Sequence, residues 1–155
     1  MTRSALPDAA PTDAGPTMLY LVKQLELAVR AQLDEVLRPT GITPLQYTAL
    51  TVLERRSDLS TAELARNAFV TDQSASDMVA ALEDRGLILR HPDPDDRRRR
   101  VLRLTDAGTA FLVDARDDVE AVEAQMLAPL TATQAASFRE YVTACRAALA
   151  STPPH

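Results

Sequence analysis

The segment from Arg85 to Thr105, RGLILRHPDPDDRRRRVLRLT, constrains the fold of this chain more than any other. Two short apolar runs, 87–89 and 101–104, flank a loop with two prolines, three aspartates and four consecutive arginines. Apolar runs joined in this way predict a β-hairpin whose connection is longer than a tight turn. A guanidinium group donates two parallel hydrogen bonds, which suit phosphates and base edges. The segment therefore predicts a charged hairpin, or wing, that contacts nucleic acid.

The distribution of charge supports this interpretation, although the whole chain is acidic. The formal net charge is −5 over 155 residues. The segment 85–105 carries seven arginines against three aspartates, which is a local charge of +4. Phosphate binding requires basic charge concentrated on one element, whatever the total charge of the chain.

The composition indicates one mostly helical domain. With 46% hydrophobic residues, 4% aromatic residues and no Trp, we expect an aliphatic core. No apolar run is long enough to cross a membrane, and the N-terminus lacks an apolar stretch of signal-peptide length. We therefore expect a cytoplasmic protein with no membrane partner. The single Cys145 excludes an internal disulfide.

Capping residues predict a helix-turn-helix immediately before the hairpin. Ser60 and Glu63 form a capping-box pattern that begins a short helix. A longer helix begins near Thr71 and ends at Gly86, which suits a left-handed C-terminal cap. A short helix, a turn and a longer helix are typical of a helix-turn-helix. Phe69, in the turn, is expected to pack into the core with the valine that follows it.

Apolar stripes outside this unit predict a dimer interface. They lie on a helix at 18–38 and on two helices within 106–150, which Pro129 separates. We expect these stripes to bury one another across a homodimer. The predicted fold is thus mainly α with a small β-hairpin: a winged helix-turn-helix with N- and C-terminal dimerisation helices. One domain spans 18–150, with its DNA-binding lobe at about 43–105, between disordered tails at 1–17 and 151–155.

Two motifs and the order of elements resemble the MarR (multiple-antibiotic-resistance regulator) family of dimeric transcription factors. The stronger motif is LEDRGLILRHPDPDDRRRRVLRLTDAG, with its Arg-Gly, Asp-Pro-x-Asp-Arg-Arg and Leu-Thr-x-x-Gly elements. The second is SDLSTAELARNAFVTDQSASDMVAALEDRG, and the resemblance covers roughly residues 19 to 149. It implies a homodimer that binds a double-stranded, pseudo-palindromic DNA operator. Such proteins are usually repressors that a small ligand or oxidation releases.

The resemblance also assigns roles to the wing. In the family, an Asp-x-Arg motif reaches into the minor groove, and the aspartate orients the arginine. Asp96 and Arg98 match that motif, while Asp95 and Arg97 are a weaker register. Narrow A·T-rich grooves attract arginine. The expected DNA-contacting wing residues are Asp96, Arg97, Arg98, Arg99 and Arg100.

The second helix of the helix-turn-helix departs from the family, because Asp77 stands where a basic residue is common. The exposed candidates are Thr71, Asp72, Gln73, Ser74, Ser76 and Asp77, none of them positively charged. Gln73, Ser74 and Ser76 can read bases or bind phosphates, and Asp77 could accept from a cytosine amino group. Ser60 and Thr61 are expected to contact phosphate. The wing is therefore expected to supply a large share of the affinity for DNA.

An effector site is implied by the resemblance alone. Family ligands, phenols or aromatic carboxylates, lie between the dimerisation helices and the DNA-binding lobe. The candidates here are Tyr20, Gln24, Tyr47 and Phe111, with core packing as the alternative for each. His91 among loop aspartates is a weak metal constellation, so we expect no metal and no cofactor. We expect no enzyme, because no Ser-His or Cys-His pairing is visible.

Two other functions stay open at this point. The arginines could dock an acidic protein instead of DNA, which binding to random duplex DNA at low salt would test. Alternatively, the chain could be a sensor that uses oxidation of Cys145. The place of Cys145 on an apolar stripe favours an inert hydrophobic role.

Overall fold

A computed structural model describes residues 15–150 of the chain. The predicted tails lie outside the described residues except for 15–17. Within that short stretch Thr17 is ordered, since its Oγ1 accepts a hydrogen bond from the backbone N–H of Tyr20 at 3.2 Å and caps the first helix.

Six α-helices, one short 3-10 helix and one hairpin make up the described part of the chain. They follow in the order α1 (Met18–Leu37), the 3-10 helix (Arg38–Thr40), α2 (Pro44–Arg55), α3 (Thr61–Ala68), α4 (Asp72–Asp84), β1 (Ile88–Pro92), β2 (Arg100–Leu104), α5 (Asp106–Leu127) and α6 (Ala132–Ala150). The predicted fold class is confirmed. Among these residues no helix is long and apolar enough to cross a membrane.

Side-chain caps fix where the helices begin. Thr43 and Gln46 form a reciprocal capping box at α2, and Thr105 Oγ1 accepts from the backbone N–H of Gly108 at α5. At α3 only half of the predicted box forms. Ser60 Oγ accepts from the backbone N–H of Glu63 at 3.2 Å, but the Glu63 carboxylate accepts from the Ser60 hydroxyl and pairs with an arginine of the wing. The helix still has its N-terminal cap.

The core lies between the helix-turn-helix, the hairpin and the N-terminal part of α5. Its largest fully buried side chains are aliphatic, as the composition predicts: Leu37, Leu50, Leu64, Leu82, Ile88, Leu102, Leu112, Val79 and Val101. The inward face of α4 consists of Ala75, Met78, Val79 and Leu82. Burial of this face fixes which side of α4 stays in solvent.

The hairpin is attached to the body by a third extended segment. Its strands are antiparallel, with Ile88 opposite Leu104 and Pro92 opposite Arg100. Leu102 donates from its backbone N–H to the Leu59 carbonyl at 2.8 Å, which adds the segment before α3 to the edge of β2. The wing is therefore anchored to the helix-turn-helix through backbone bonds.

The turn of the helix-turn-helix corrects one expectation. Phe69 ends α3 with φ 56, in the left-handed region, and 77% of its surface is exposed. The prediction that Phe69 packs into the core is therefore wrong. Val70, next to it, is half-buried, and its backbone N–H donates to the Ala65 carbonyl at 3.1 Å.

The outer helices carry apolar side chains that the single chain leaves in solvent. Helix α1 packs along α5, yet most of its N-terminal half is exposed. Helix α6 has no buried residue. The exposed large apolar residues of these two helices are Met18, Leu19, Tyr20, Leu21, Val22, Leu25, Leu27, Tyr141, Val142 and Leu149.

Candidate nucleic-acid interface

The exposed face of α4 carries a short run of polar side chains. Thr71 caps the helix, since its Oγ1 accepts from the backbone N–H of Ser74 at 3.1 Å. The Thr71 hydroxyl also donates to Ser74 Oγ at 3.0 Å. Gln73 Nε2 donates to Asp77 Oδ1 at 3.1 Å, one turn along the helix. These residues and Ser76 are exposed, opposite the buried face.

The bond between Gln73 and Asp77 fixes the direction of the glutamine amide. An amide has two N–H donors and one carbonyl acceptor. One donor goes to Asp77, so the other donor and the carbonyl are the groups that a base edge can use. No lysine or arginine lies between residues 72 and 84. The chemistry of this face is hydrogen bonding without positive charge.

Asp93 organises the wing loop, a role that the sequence analysis did not assign. The residue is buried, and its Oδ1 accepts from the backbone N–H of Asp95 at 2.9 Å. Its backbone N–H donates to the Arg99 carbonyl at 2.8 Å, which closes the loop. An aspartate that accepts from the backbone two residues on is typical of an Asx turn, and that local pattern was the available signal.

Asp96 fixes the backbone of Arg98 rather than its guanidinium. Asp96 Oδ1 accepts from the backbone N–H of Arg98 at 3.1 Å. Asp96 and Arg98 are therefore hydrogen-bonded, but the carboxylate positions the backbone of the arginine and leaves its guanidinium free of this contact. Arg97 and Arg98 are both exposed on the loop.

The four consecutive arginines have different environments. Arg99 is half-buried and forms ion pairs with Asp93, at 3.4 Å, and with Glu63 of α3. Arg100 belongs to β2 and is exposed. Arg99 thus joins the wing loop to the first helix of the helix-turn-helix, while Arg97, Arg98 and Arg100 present their charge to solvent.

A second ion-pair cluster lies at the base of the hairpin. Asp58, with φ 64, accepts from Arg103 Nε at 2.6 Å and lies 3.2 Å from His91 Nε2. The hydrogen bond from Arg103 lowers the pKa of the Asp58 carboxyl below its ordinary value of 3.8, with a smaller contribution from His91. No group of three or more His, Cys, Asp or Glu in 15–150 is placed to hold a metal ion.

The predicted effector residues do not come together in this structure. A cavity of about 340 Å³ lies between α1, the 3-10 helix and α5. It is lined by Val36, Leu37, Thr40, Arg85, Phe111, Asp114, Ala115 and Asp118. Phe111 is thus at the cavity, and Arg85 donates to the Thr40 carbonyl there at 2.7 Å.

The other three candidates lie elsewhere. Tyr20 accepts from Gln24 Nε2 at 3.1 Å near the start of α1, roughly 24 Å along the helix from Val36. Tyr47 packs against the core, and burial raises the pKa of its phenol above the ordinary 10.0. Of the four candidates, Phe111 alone lines this cavity, and the assignment of Tyr20, Gln24 and Tyr47 to an effector site stays a prediction.

Cys145 is not part of the core of the single chain. Cys145 lies on α6 and is exposed. Its neighbours on the helix, residues 141–150, are exposed as well. The expected hydrophobic role for Cys145 thus requires a surface that covers α6.

A helix-turn-helix followed by an arginine-bearing antiparallel hairpin defines a winged helix-turn-helix protein. A model of the MarR family matches residues 40–99, from the 3-10 helix to the wing loop. The HTH-type transcriptional repressor Rv2887 of Mycobacterium tuberculosis is 34% identical over 120 residues, which are 77% of this chain and 86% of the relative. This chain belongs to the MarR family.

Solved structures of a Mycobacterium tuberculosis MarR family protein, Rv2887, are similar to this chain in fold. Its complex with DNA is 30% identical, with a TM-score of 0.69. Its complex with p-aminosalicylic acid is 31% identical, with a TM-score of 0.70. Each comparison covers 84% of this chain and 98% of the other.

Proposed function

We propose that this chain is a cytoplasmic, homodimeric repressor that binds a pseudo-palindromic DNA operator and is released by a small aromatic ligand. The observation that carries the proposal is the juxtaposition of a polar, exposed α4 with an anchored wing of exposed arginines. In winged proteins of this kind the helix enters the major groove and the hairpin reaches the neighbouring backbone or minor groove. The relatives described as transcriptional repressors, one of them in complex with DNA, support it.

The charges of α4 and the wing determine which kind of DNA contact each of them makes. Thr71, Gln73, Ser74, Ser76 and Asp77 of α4 read base edges by hydrogen bonds, and Ser60 and Thr61 at the start of α3 bind phosphate. Arg97, Arg98 and Arg100 supply the positive charge. Because α4 carries no cation, most of the counterion release on binding comes from the wing. Arg99, already paired with two carboxylates, holds the loop in place.

The dimer forms through α1 and α6. Both helices leave large apolar side chains in solvent, among them Leu19 and Leu149 with 80% and 75% of their surfaces exposed. A patch of this kind on a folded chain marks an interface. In a two-fold dimer each patch meets its own copy, and two lobes then face successive major grooves about one helical turn apart.

The effector site is the cavity at Arg85. A ligand carboxylate would accept charge-assisted hydrogen bonds from the Arg85 guanidinium, and an aromatic ring would lie against Phe111. Asp114 and Asp118 line the same cavity, which favours a ligand that also carries a hydroxyl or amino donor. The complex of the Mycobacterium tuberculosis relative with p-aminosalicylic acid supports this class of ligand.

The test of DNA binding uses a duplex selected by the protein from a randomised library. Arg98→Ala is expected to weaken binding by about 1–3 kcal/mol per wing and to reduce the dependence of log K on log salt by about one per wing. Arg38→Ala, an exposed arginine outside the wing, is the matched control and should change neither. If the unaltered protein bound no duplex at low salt, the proposal would be wrong, and an acidic protein partner would be favoured.

A further inference from the structure

Phe69 is the one large aromatic side chain of the helix-turn-helix turn, and the fold does not use it for packing. It ends α3 in the left-handed region with 77% of its surface exposed. Its place in the chain is two residues before Thr71, the N-terminal cap of α4. An exposed ring therefore stands at the beginning of the helix that we propose enters the major groove.

Glycine would suit the backbone of Phe69 better than phenylalanine does. The left-handed region is open to glycine and strained for a residue with a Cβ. At two other left-handed helix ends this chain has glycine, Gly41 with φ 73 and Gly86 with φ 71. Strain of this sort clusters where a residue makes a functional contact.

Within residues 15–150, the other left-handed residue that is not glycine has such a contact. Asp58, with φ 64, binds Arg103 and lies beside His91. Phe69 adopts the same left-handed backbone conformation, but its ring is in solvent. A binding partner outside the single chain is the contact that would compensate for it.

We propose that Phe69 is a specificity-determining residue whose ring packs on the methyl group of a thymine in each operator half-site. The inference rests on the proposed DNA-binding function. Residues at the N-terminus of a recognition helix contact base edges, and two Cα–Cα steps keep Phe69 within about 7 Å of Thr71. The thymine methyl is the apolar group in the major groove, and phenylalanine is among the side chains that contact it.

DNA suits this ring better than a protein partner does. The residues just beyond it, Thr71, Asp72, Gln73 and Ser74, are polar and exposed, so the ring does not continue along α4 as an apolar patch of docking size. A helix face without cations also needs other contacts for affinity. An apolar contact adds discrimination between bases without adding charge.

The experiment begins with selection of a duplex of about 24 base pairs, long enough for two half-sites, from a randomised library by the unaltered protein. Each thymine of the selected duplex is then replaced by deoxyuridine, which removes only the methyl group. We expect one thymine per half-site whose replacement lowers affinity about fourfold, and about fifteenfold when both are changed. Phe69→Gly should lower affinity for the original duplex at least as much and be insensitive to those replacements.

Stability and salt dependence separate this role from others. Phe69→Gly relieves backbone strain, so its melting temperature should be unchanged or higher while its affinity falls. The slope of log K against log salt should stay that of the unaltered protein, because no charge is removed. Phe69→Leu keeps an apolar contact and should retain part of the sensitivity to the thymine methyl.

Three outcomes would overturn the inference. The first is a Phe69→Gly protein that binds the selected duplex as tightly as the unaltered protein. The second is an equal loss of affinity, on changing Phe69 to Gly, for the thymine duplex and the deoxyuridine duplex, which would contradict a contact with the methyl group. The third is a fall in melting temperature for both variants, which would make Phe69 a structural residue. Failure of the unaltered protein to select any duplex would instead refute the proposed function.

Discussion

Arg103 of β2 holds Asp58 with two hydrogen bonds, from Nε at 2.6 Å and from Nη2 at 3.1 Å. The pair joins the base of the wing to the segment before α3. The backbone bond from Asp58 N–H to the Leu102 carbonyl, at 3.2 Å, lies beside it. The direction in which the wing leaves the body therefore depends in part on one carboxylate.

The lowered pKa of Asp58 predicts a weaker wing attachment in acid. A carboxyl with a folded-state pKa below its unfolded value of 3.8 stabilises the fold above that pH, and this stabilisation is lost as the pH falls through the folded pKa. The protection of the β2 amides from hydrogen exchange, measured against the intrinsic exchange rate at each pH, should therefore decrease below about pH 4. Asp58→Asn should show the lower protection already at pH 7 and lose this pH dependence. Asp117→Asn, an exposed change of the same charge on α5, should behave like the unaltered protein.

The ion pair between Arg99 and Glu63 predicts that two opposite charge changes have the same effect. Arg99→Ala frees the wing loop from α3, so we expect a severalfold loss of affinity for the selected duplex. Glu63→Gln removes a negative charge, yet it breaks the same link and should also weaken binding. Fluorescence anisotropy at fixed salt measures both. Tighter binding by Glu63→Gln would show that only charge matters and that Arg99 does not position the loop.

Gly108 predicts a large loss of stability from a single methyl group. A Cβ at this position would lie 2.1 Å from the carbonyl oxygen of Leu87 and 3.3 Å from Leu104 Cδ2. Gly108→Ala must therefore displace backbone where the hairpin meets α5, at a cost of about 1–3 kcal/mol in the free energy of unfolding. Denaturant unfolding measures the change. Thr109→Ala, at the next and exposed position, should stay within about 0.5 kcal/mol of the unaltered protein.

The exposed apolar face of α6 predicts that a charge introduced on this face prevents dimerisation. Val142→Glu places a carboxylate on the exposed apolar surface of α6 that we propose the dimer buries, where an unpaired charge is costly. Sedimentation velocity should show a monomer at concentrations where the unaltered protein is a dimer. Glu140→Ala, a neutralisation on the same helix, is the control. An unaltered sedimentation coefficient for Val142→Glu would place the interface elsewhere.

Elements with strong local signals could be predicted from the sequence. The caps at Thr43, Ser60, Thr71 and Thr105 locate four helix starts, because the side chain that fixes each start is adjacent to it. The hairpin could be predicted from its apolar runs and loop composition for the same reason. The predicted strands differ from the observed ones mainly at the tip, where β1 continues to Pro92.

Features that depend on distant residues could not be predicted in this way. Arg99 pairs with Glu63 from another element, so four equivalent arginines in the sequence acquire different roles only in the fold. Phe69 has an apolar side chain in a turn, and nothing local signals its left-handed conformation. Tyr20 does not line the cavity at Phe111, because the length of α1 separates it from Val36 at that cavity, and the identity of the residues does not express this distance.

Helix α6 has no buried residue, so the stability of this part of the protein depends on protein concentration under the proposed function. If the chain dimerises as proposed, the burial that α6 lacks in one chain comes from association, and the free energy that keeps it in place then grows with the logarithm of protein concentration. Under the proposed function, a cell that halves its stock of this chain would lose operator occupancy more than proportionally, because the binding species needs two copies. Synthesis and turnover would then tune the response as directly as the effector does.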